Sequence, residues 1–540
     1  MVWTNNGTTH RSTVMGTRGM VASAHPLASL AGVNMLQQGG TAVDAVVAMC
    51  AALDVVEPYM SGLGGGGAML IHPAAGETRT LFYGGGFPAA ANLDTLDAES
   101  VDTGPRASTL PAVAMGWFAA HDKYGALPRE TLLEPAIGYA RAGVGLTVKN
   151  SAFYAAGYGR LSDRGRAIFF PHGDSAPAGT VVRQPDLADT YATLAKDGID
   201  AFYDGPLGAE LVRAIHEAGG LITRADLQST SVEWNSPSTS SYRGYEVRTT
   251  PWPLTAYEMQ MNLNIMEGFD LGTSGHNTAN SLHTLVEALK LSMTERSNYA
   301  GSTTPPPDGL LSKRYAAERR RLLDPAHARP IASERGTRLF PPDTIQPGSP
   351  EDYVRECTTH LSAIDSEGNA VAITQSLGAA FGSGFVAGST GIAMNNYLYF
   401  FDVDPESPNA IGPDTTWALP LMPTMLFEGD ALFLIIGTPG AFGIPHTTTQ
   451  MISNVIDHGF GVQAAIEAAR LRLFSGNRLA LENRVPGDVI AELRKRGHEI
   501  EVIEAYSPAV GGGQGILIDP ETGAYSGGGD PRRDGTALGY

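Results

Sequence analysis

The repeat pattern of apolar residues changes once along this chain, near residue 357, and that change limits the folds it can reach. Between 112 and 330 apolar residues recur mostly at helical spacing, as in "LHTLVEALKLSMTERSNYA", with strands such as "YEVRTT" between. Residues 301–357 differ: "STTPPPDGLL", "ARPIAS" and "LFPPDTIQPGSPEDYVREC" are rich in proline and turn formers, and read as loop and extended chain. From 358 the period becomes two. "THLSAIDSEGNAVAITQSL" alternates across two strands joined by "DSEGN", a hairpin signal. The coarse reading is helices over sheets, with a seam at about 357.

Elements on either side can be placed by their caps and breakers. "HPLASLAGVNMLQQGG" reads as a helix ended by Gly39–Gly40. "TAVDAVVAMCAALDVVEP" reads as a second helix, apolar on nearly every side, with Thr41 as N-cap and Pro58 as its stop. Cys50 inside it is a small buried hydrophobe. "GAMLIHP" and "TRTLFYGG" read as paired strands. Further strands are expected in "GIAMNNYLYFF" and "ALFLIIGTPG", and further helices in "HTTTQMISNVIDHGF" and "VQAAIEAARLRLF".

Composition excludes several function classes. A chain of 540 residues with 43% hydrophobic and 17% charged residues is globular. A net charge of −19 leaves no basic face to bind nucleic acid or an anionic membrane. Two cysteines cannot build a disulfide framework, and a metal site would need histidines from elsewhere, so neither metal nor cofactor is expected. The polar start has no signal-peptide core, and no run of about 18 apolar residues occurs, so a cytoplasmic protein is expected. Gly62–Gly67, "GLGGGG", matches G-x-G-x-x-G but follows a helix and opens a strand, the reverse of a dinucleotide fingerprint. It reads as a turn where backbone packs closely.

The stretch "ECTTHLSAID", 356–365, holds the reactive side chains. On a strand Cys357 and His360 point to opposite faces, which disfavours an activated cysteine–histidine pair. Thr358 has another route. If the chain is cut before it, its own α-amino group, titrating near ~8, becomes the base that a hydroxyl nucleophile needs. Such a residue should start a strand straight after a loop, as Thr358 does here; Thr359 and Cys357 are the fallbacks.

The words around it carry a resemblance. "TTHLSAIDSEGNAVAITQSL", "FGSGFVAGSTGIAMNN", "GTPGAFG" and "DPRR" resemble the small subunit of the γ-glutamyltranspeptidase (glutathione hydrolase) family. "GMVASAHPLASLAGVNMLQQGGTAVDAVVA", "VVEPYMSGLGGGGAML", "ALPRETLLEPAI" and "DAFYDGPLGAELVRAIHEAGG" resemble its large subunit, so the likeness spans about 19–540. It implies an α+β fold, the αββα sandwich of the N-terminal-nucleophile hydrolases. It also implies autocatalytic cleavage between Cys357 and Thr358, giving a large subunit 1–357 and a small subunit 358–540 that together form one domain. Residue by residue, it makes Thr358 the nucleophile and Ser376 the hydroxyl bonded to it. Gly440 and Ala441 become the oxyanion donors, where the family has two glycines.

The same resemblance implies an altered substrate pocket. The family's carboxylate-binding arginine falls at about Gly84, its serine pair at Leu419 and Pro420, and its ammonium-binding residues at Tyr397 and Phe400, with Trp417 nearby. Each anchor is replaced by an apolar or aromatic group, or by none. The segment before "WALP", "DVDPESPNAIGPDTTW", is short beside lidded members. An uncharged or aromatic acyl group suits such a pocket better than glutamate. Arg106 and His446 remain as groups that could serve glutamate from elsewhere. The expectation is an autoprocessed acylase or acyltransferase for a small-molecule amide, with water or an amine as acceptor. A tailoring hydrolase that cleaves a carbon–carbon bond next to a carbonyl is within the same chemistry. The alternatives are a γ-glutamyl hydrolase/transferase with a rebuilt pocket and a non-catalytic homologue.

Overall fold

The computed structural model describes residues 7, 9–301, 304–329, 356–405, 407, 409–412 and 415–540. Residues 302–303 and 330–355 of the loop expected at 301–357 thus lie outside the described residues, as do parts of the segment before "WALP".

Two antiparallel sheets of seven strands each form the centre. The first runs Thr536–Gly539, Met20–Ser23, Glu356–Ile364, Ala370–Ala379, Gly66–His72, Arg79–Tyr83, Glu233–Asn235. The second runs Val14–Gly16, Tyr525–Gly529, Gln514–Ile518, Ala431–Gly437, Thr424–Glu428, Tyr245–Thr249, Ser238–Tyr242. Strand alternation sorts their side chains into layers. Met20, Ala22, Leu70, Ile364 and Ala372 of the first sheet meet Met425, Phe427, Ile435 and Ile516 of the second in one apolar cluster. Their neighbours Val21, Met69, Ile71, Leu361, Val371 and Ile373 turn away and pack beneath the helices Pro26–Gln37, Ala42–Val56, Val113–Tyr124 and Arg129–Ala142. On the far side Val247, Leu426, Leu434 and Ile436 lie beneath Tyr257–Met266, Ala279–Tyr299 and Ile444–Ile456. The order is helix, sheet, sheet, helix, and it is the αββα sandwich.

The helix Ala42–Val56 explains its own composition. Thr41 and Asp44 close a capping box, and every residue from Ala42 to Val56 is buried, so no polar stripe is needed. Gly62–Gly67 is a turn and strand start, as expected. A Cβ on Gly65 would lie 2.1 Å from the Ser376 carbonyl oxygen, an approach only glycine permits.

Three expectations need correction. In "GIAMNNYLYFF" only Ile392–Ala393 is strand, and Tyr397–Phe400 is a 3₁₀ turn. Asn395 is the reason: its Oδ1 accepts from the N–H groups of Thr109 and Tyr397, both at 3.0 Å, and its Nδ2 donates to Gly64 O at 2.6 Å, in place of a ladder. "VQAAIEAARLRLF" is helix only over Val462–Glu467 and continues as the strand Leu471–Ser475, paired with Arg478–Glu482. Within the stretch read as loop, Lys313–Arg320 is a helix capped by Ser312, whose hydroxyl accepts from Tyr315 N at 3.1 Å.

His360 lies between the sheets. A Cβ on Gly437 of the opposite sheet would sit 2.3 Å from its ring. Its Nδ1 is 3.1 Å from Thr374 Oγ1 and its Nε2 3.2 Å from Ser362 Oγ. Burial lowers its pKa to about 3. The unfolded chain therefore takes up this proton first, at about 6.5, so the contribution to stability is complete above that pH and is lost as pH falls towards 3. In urea melts, His360→Gln should show a shallower loss of stability between pH 6.5 and 4.5 than the parent chain. Gly437→Ala should cost about 1–3 kcal/mol at pH 7.5 by overpacking this contact.

Candidate active site

The strand Glu356–Ile364 pairs with Ala370–Ala379 along its whole length, and the register slips once, between Cys357 and Thr358. Cys357 faces Gly378 and Thr358 faces Ser376, which leaves Leu377 as the extra residue of a bulge. The slip brings three groups together. Ser376 Oγ donates to the Cys357 carbonyl at 2.6 Å and accepts from Thr358 Oγ1 at 3.2 Å and Gly378 N at 2.8 Å. One hydroxyl thereby touches both the carbonyl before Thr358 and the Thr358 side chain. Thr358 is 5% and Ser376 3% exposed, so water competes little for these bonds. Cys357 packs with Tyr59, Phe153 and Phe381, away from His360 in the inter-sheet layer. No cysteine–histidine pair forms.

Gly440 and Ala441 follow the strand Ala431–Gly437, at the turn Ala441–Gly443 that leads into the helix Ile444–Ile456. This turn packs against the strand carrying Thr358. Its N–H groups sit at a helix start, where the dipole favours developing negative charge. Ala441 has φ 43°, the left-handed region that glycine adopts freely and alanine does not.

The residues expected to bind substrate form an aromatic cluster. Tyr397, Trp417, Leu419 and Leu421 pack with Phe82, Phe401 and Leu254, and Phe400 lies against them. A Cβ on Gly84 would sit 2.3 Å from the Phe82 ring, so that ring fills the space where a longer side chain at Gly84 would begin. Phe82 meets Trp417 edge-on at 5.9 Å, and Tyr397 meets it at 5.8 Å. The Tyr397 hydroxyl lies 2.8 Å from Ser376 O and 3.0 Å from Gly66 O, so it clasps backbone behind the site. Pro420 is buried beside Leu419, whose carbonyl accepts from Thr255 N at 3.2 Å. Phe400 approaches the bulge, with its Cε2 3.5 Å from a Cβ built on Gly378, the partner of Cys357.

A family profile described as gamma-glutamyltranspeptidase matches residues 28–540. The chain belongs to this family. The glutathione hydrolase proenzyme of Escherichia coli K12 is 32% identical, covering 98% of this chain and 93% of that one. The acylase ACY 1 proenzyme of Pseudomonas sp. SE83 is 33% identical, covering 98% and 95%. Among solved structures, cephalosporin acylase from Bacillus halodurans superposes with a TM-score of 0.88 at 31% identity, covering 99% and 98%. This member of the gamma-glutamyltranspeptidase family is thus an enzyme of the N-terminal-nucleophile hydrolase type, and both of these relatives are named as proenzymes.

Neither group held in reserve for glutamate reaches this cluster. Arg106 is exposed and donates its Nε to Gly219 O at 3.0 Å. His446 is buried 3.5 Å from Glu258. Among the described residues His283, Glu287 and His498 could share a metal ion. His283 Nδ1 lies 2.8 Å from His498 Nε2 and Lys290 Nζ donates to Glu287 Oε1 at 2.6 Å, while His498 Nδ1 is buried without a hydrogen-bond partner. No described helix is long and apolar enough to cross a membrane. Sequence reading missed Phe82, although it stands two strand positions before Gly84 and so shares its face. It also missed Phe442 and the charges beneath it, which no local pattern signals.

Ser376→Ala removes the hydroxyl from both Cys357 O and Thr358 Oγ1. Ser376→Thr keeps a hydroxyl there. Cleavage before Thr358, followed by denaturing gel after expression, should slow at least about tenfold in the alanine variant and persist in the threonine variant.

Proposed function

We propose that this chain is an autoprocessed threonine-nucleophile acylase for a small molecule whose acyl group is uncharged or aromatic rather than γ-glutamyl. The observation that carries it is the shared hydroxyl of Ser376, bonded to the Cys357 carbonyl and to Thr358 Oγ1. In the precursor, Thr358 Oγ adds to the Cys357 carbonyl carbon while Ser376 Oγ–H supports the negative charge on its oxygen. The Cys357–Thr358 C–N bond breaks as the Oγ proton passes to the departing nitrogen, and water hydrolyses the resulting ester. The products are a carboxylate at Cys357, ending subunit 1–357, and a free α-amine on Thr358, starting subunit 358–540.

Turnover repeats the chemistry on substrate. The α-amine takes the Oγ proton as Oγ adds to the substrate carbonyl, and the N–H groups of Gly440 and Ala441 hold the oxyanion. The leaving amine departs with that proton, and water or an amine acceptor releases the acyl group. Acylation should rise with pH as the α-amine deprotonates, near ~8.

Substrate class is read from the acyl pocket. A γ-glutamyl group brings a carboxylate and an ammonium, and each is costly to bury unpaired. The positions Gly84, Leu419, Pro420, Tyr397 and Phe400 offer neither charge, and Phe82 and Trp417 fill the wall between them. An acylase among the relatives is consistent with such a pocket.

Intact mass of the purified protein should show two chains, the smaller starting at Thr358, and Thr358→Ala should leave one inactive chain. In a panel of anilides, phenylacetyl and other apolar acyl groups should exceed γ-glutamyl by at least about tenfold in kcat/KM. Efficient γ-glutamyl turnover would instead establish a γ-glutamyl hydrolase with a rebuilt pocket, and an uncut wild-type chain would remove the catalytic reading altogether.

A further inference from the structure

The turn that carries Gly440 and Ala441 rests on charges from a distant part of the chain. Phe442, next in sequence, lies under the Arg296 guanidinium, whose centre is 4.7 Å from the ring centroid. Phe400 meets the same ring edge-on at 6.1 Å. Arg296, on the helix Ala279–Tyr299, is held by Glu258 on Tyr257–Met266, Nη1 to Oε2 at 2.7 Å. Both partners are buried, at 3% and 0% exposure. Burial alone would raise the Glu258 pKa, but Arg296 and then His446 more than offset it and hold the carboxyl below its usual range, so the ion pair persists.

The frame extends to the helix behind the turn. Tyr257–Met266 packs along Ile444–Ile456, with Asn262 Nδ2 donating to Thr449 Oγ1 at 3.3 Å. His446 faces Glu258 one turn earlier in both helices. On the other flank Arg472 Nε would lie 3.0 Å from a Cβ on Gly443.

Such support has a purpose that core packing does not need. Ala441 holds φ 43°, a backbone state that a side chain disfavours, so the turn would relax unless its neighbours fixed it. A cation over the face of Phe442, in a site with little water, is a strong way to fix the adjacent residue. We propose that Arg296, fixed by Glu258, is a positioning residue that acts through Phe442 to hold the left-handed backbone of Ala441. This rests on the reading of Gly440 and Ala441 as oxyanion donors.

The role separates from self-cleavage, in which the Cys357 carbonyl is served by Ser376. Four variants test it: Phe442→Leu, the charge-removing double Glu258→Gln/Arg296→Met, Arg296→Lys, and Ala441→Gly added to Phe442→Leu. The readouts are cleavage before Thr358 by intact mass, acetylation of Thr358 by p-nitrophenyl acetate, and kcat and KM with the best anilide of the panel. All four should be cut normally. Phe442→Leu and the double variant should acetylate and turn over at least about tenfold more slowly, with KM within about twofold. Arg296→Lys should recover most of the rate, and so should glycine at 441, which adopts positive φ unaided. Acetylation at the wild-type rate in Phe442→Leu and the double variant, or a loss confined to KM, would overturn the proposal. A wild-type chain that is cut yet never acetylated would overturn the turnover reading and this role with it, whereas normal wild-type acetylation keeps the two failures distinct.

Discussion

The pairing of Glu356–Ile364 with Ala370–Ala379, slipped by one residue beside Thr358, is the constraint on which the site depends. Without the slip, the period-two pleat would put the Cys357 carbonyl and the Ser376 hydroxyl out of mutual reach. With it, a single hydroxyl touches the carbonyl of the bond expected to break and the hydroxyl expected to attack it. Of the strand Glu356–Ile364, the neighbouring Met20–Ser23 pairs with Ser362–Ile364, so the segment at Thr358 runs past that strand's edge. The sandwich holds the arrangement rigid, because the even-numbered face of the same strand, from His360 to Ile364, is buried between the sheets.

Around that centre the chain treats charge in two opposite ways. Beside the site Phe82, Tyr397, Phe400 and Trp417 pack into one apolar cluster. Beneath the turn Ala441–Gly443, Glu258 and Arg296 are kept as a buried pair. Removing one member would leave the other uncompensated, so the pair is maintained as a unit, and it places a cation against Phe442.

Much of the fold was legible because local rules and tertiary demands agree. Thr41 and Asp44 cap the helix that the apolar run implies, and the hairpin around "DSEGN" pairs as its alternation requires. Reading failed where side chains override the local pattern. Asn395 bonds to Thr109, Gly64 and Tyr397 and replaces the expected strand by a turn. Strand pairing, rather than helix propensity, claims Leu471–Ser475. The aromatic wall was half legible: the residues at 397, 400 and 417 stand near one another in sequence, whereas Phe82 reaches them only across the sheet.

The sequence by itself determined the class of chemistry. The words around Thr358, such as "TTHLSAIDSEGNAVAITQSL" and "GTPGAFG", carry the family and with it the expected nucleophile, whereas a threonine that opens a strand after a proline-rich stretch is commonplace by itself. Tertiary structure alone decided the geometry: which hydroxyl meets which carbonyl, which ring fills the space beside Gly84, and which distant ion pair lies against Phe442. Those depend on a one-residue register slip and on packing between segments more than a hundred residues apart, and neither leaves a mark in any short stretch of sequence.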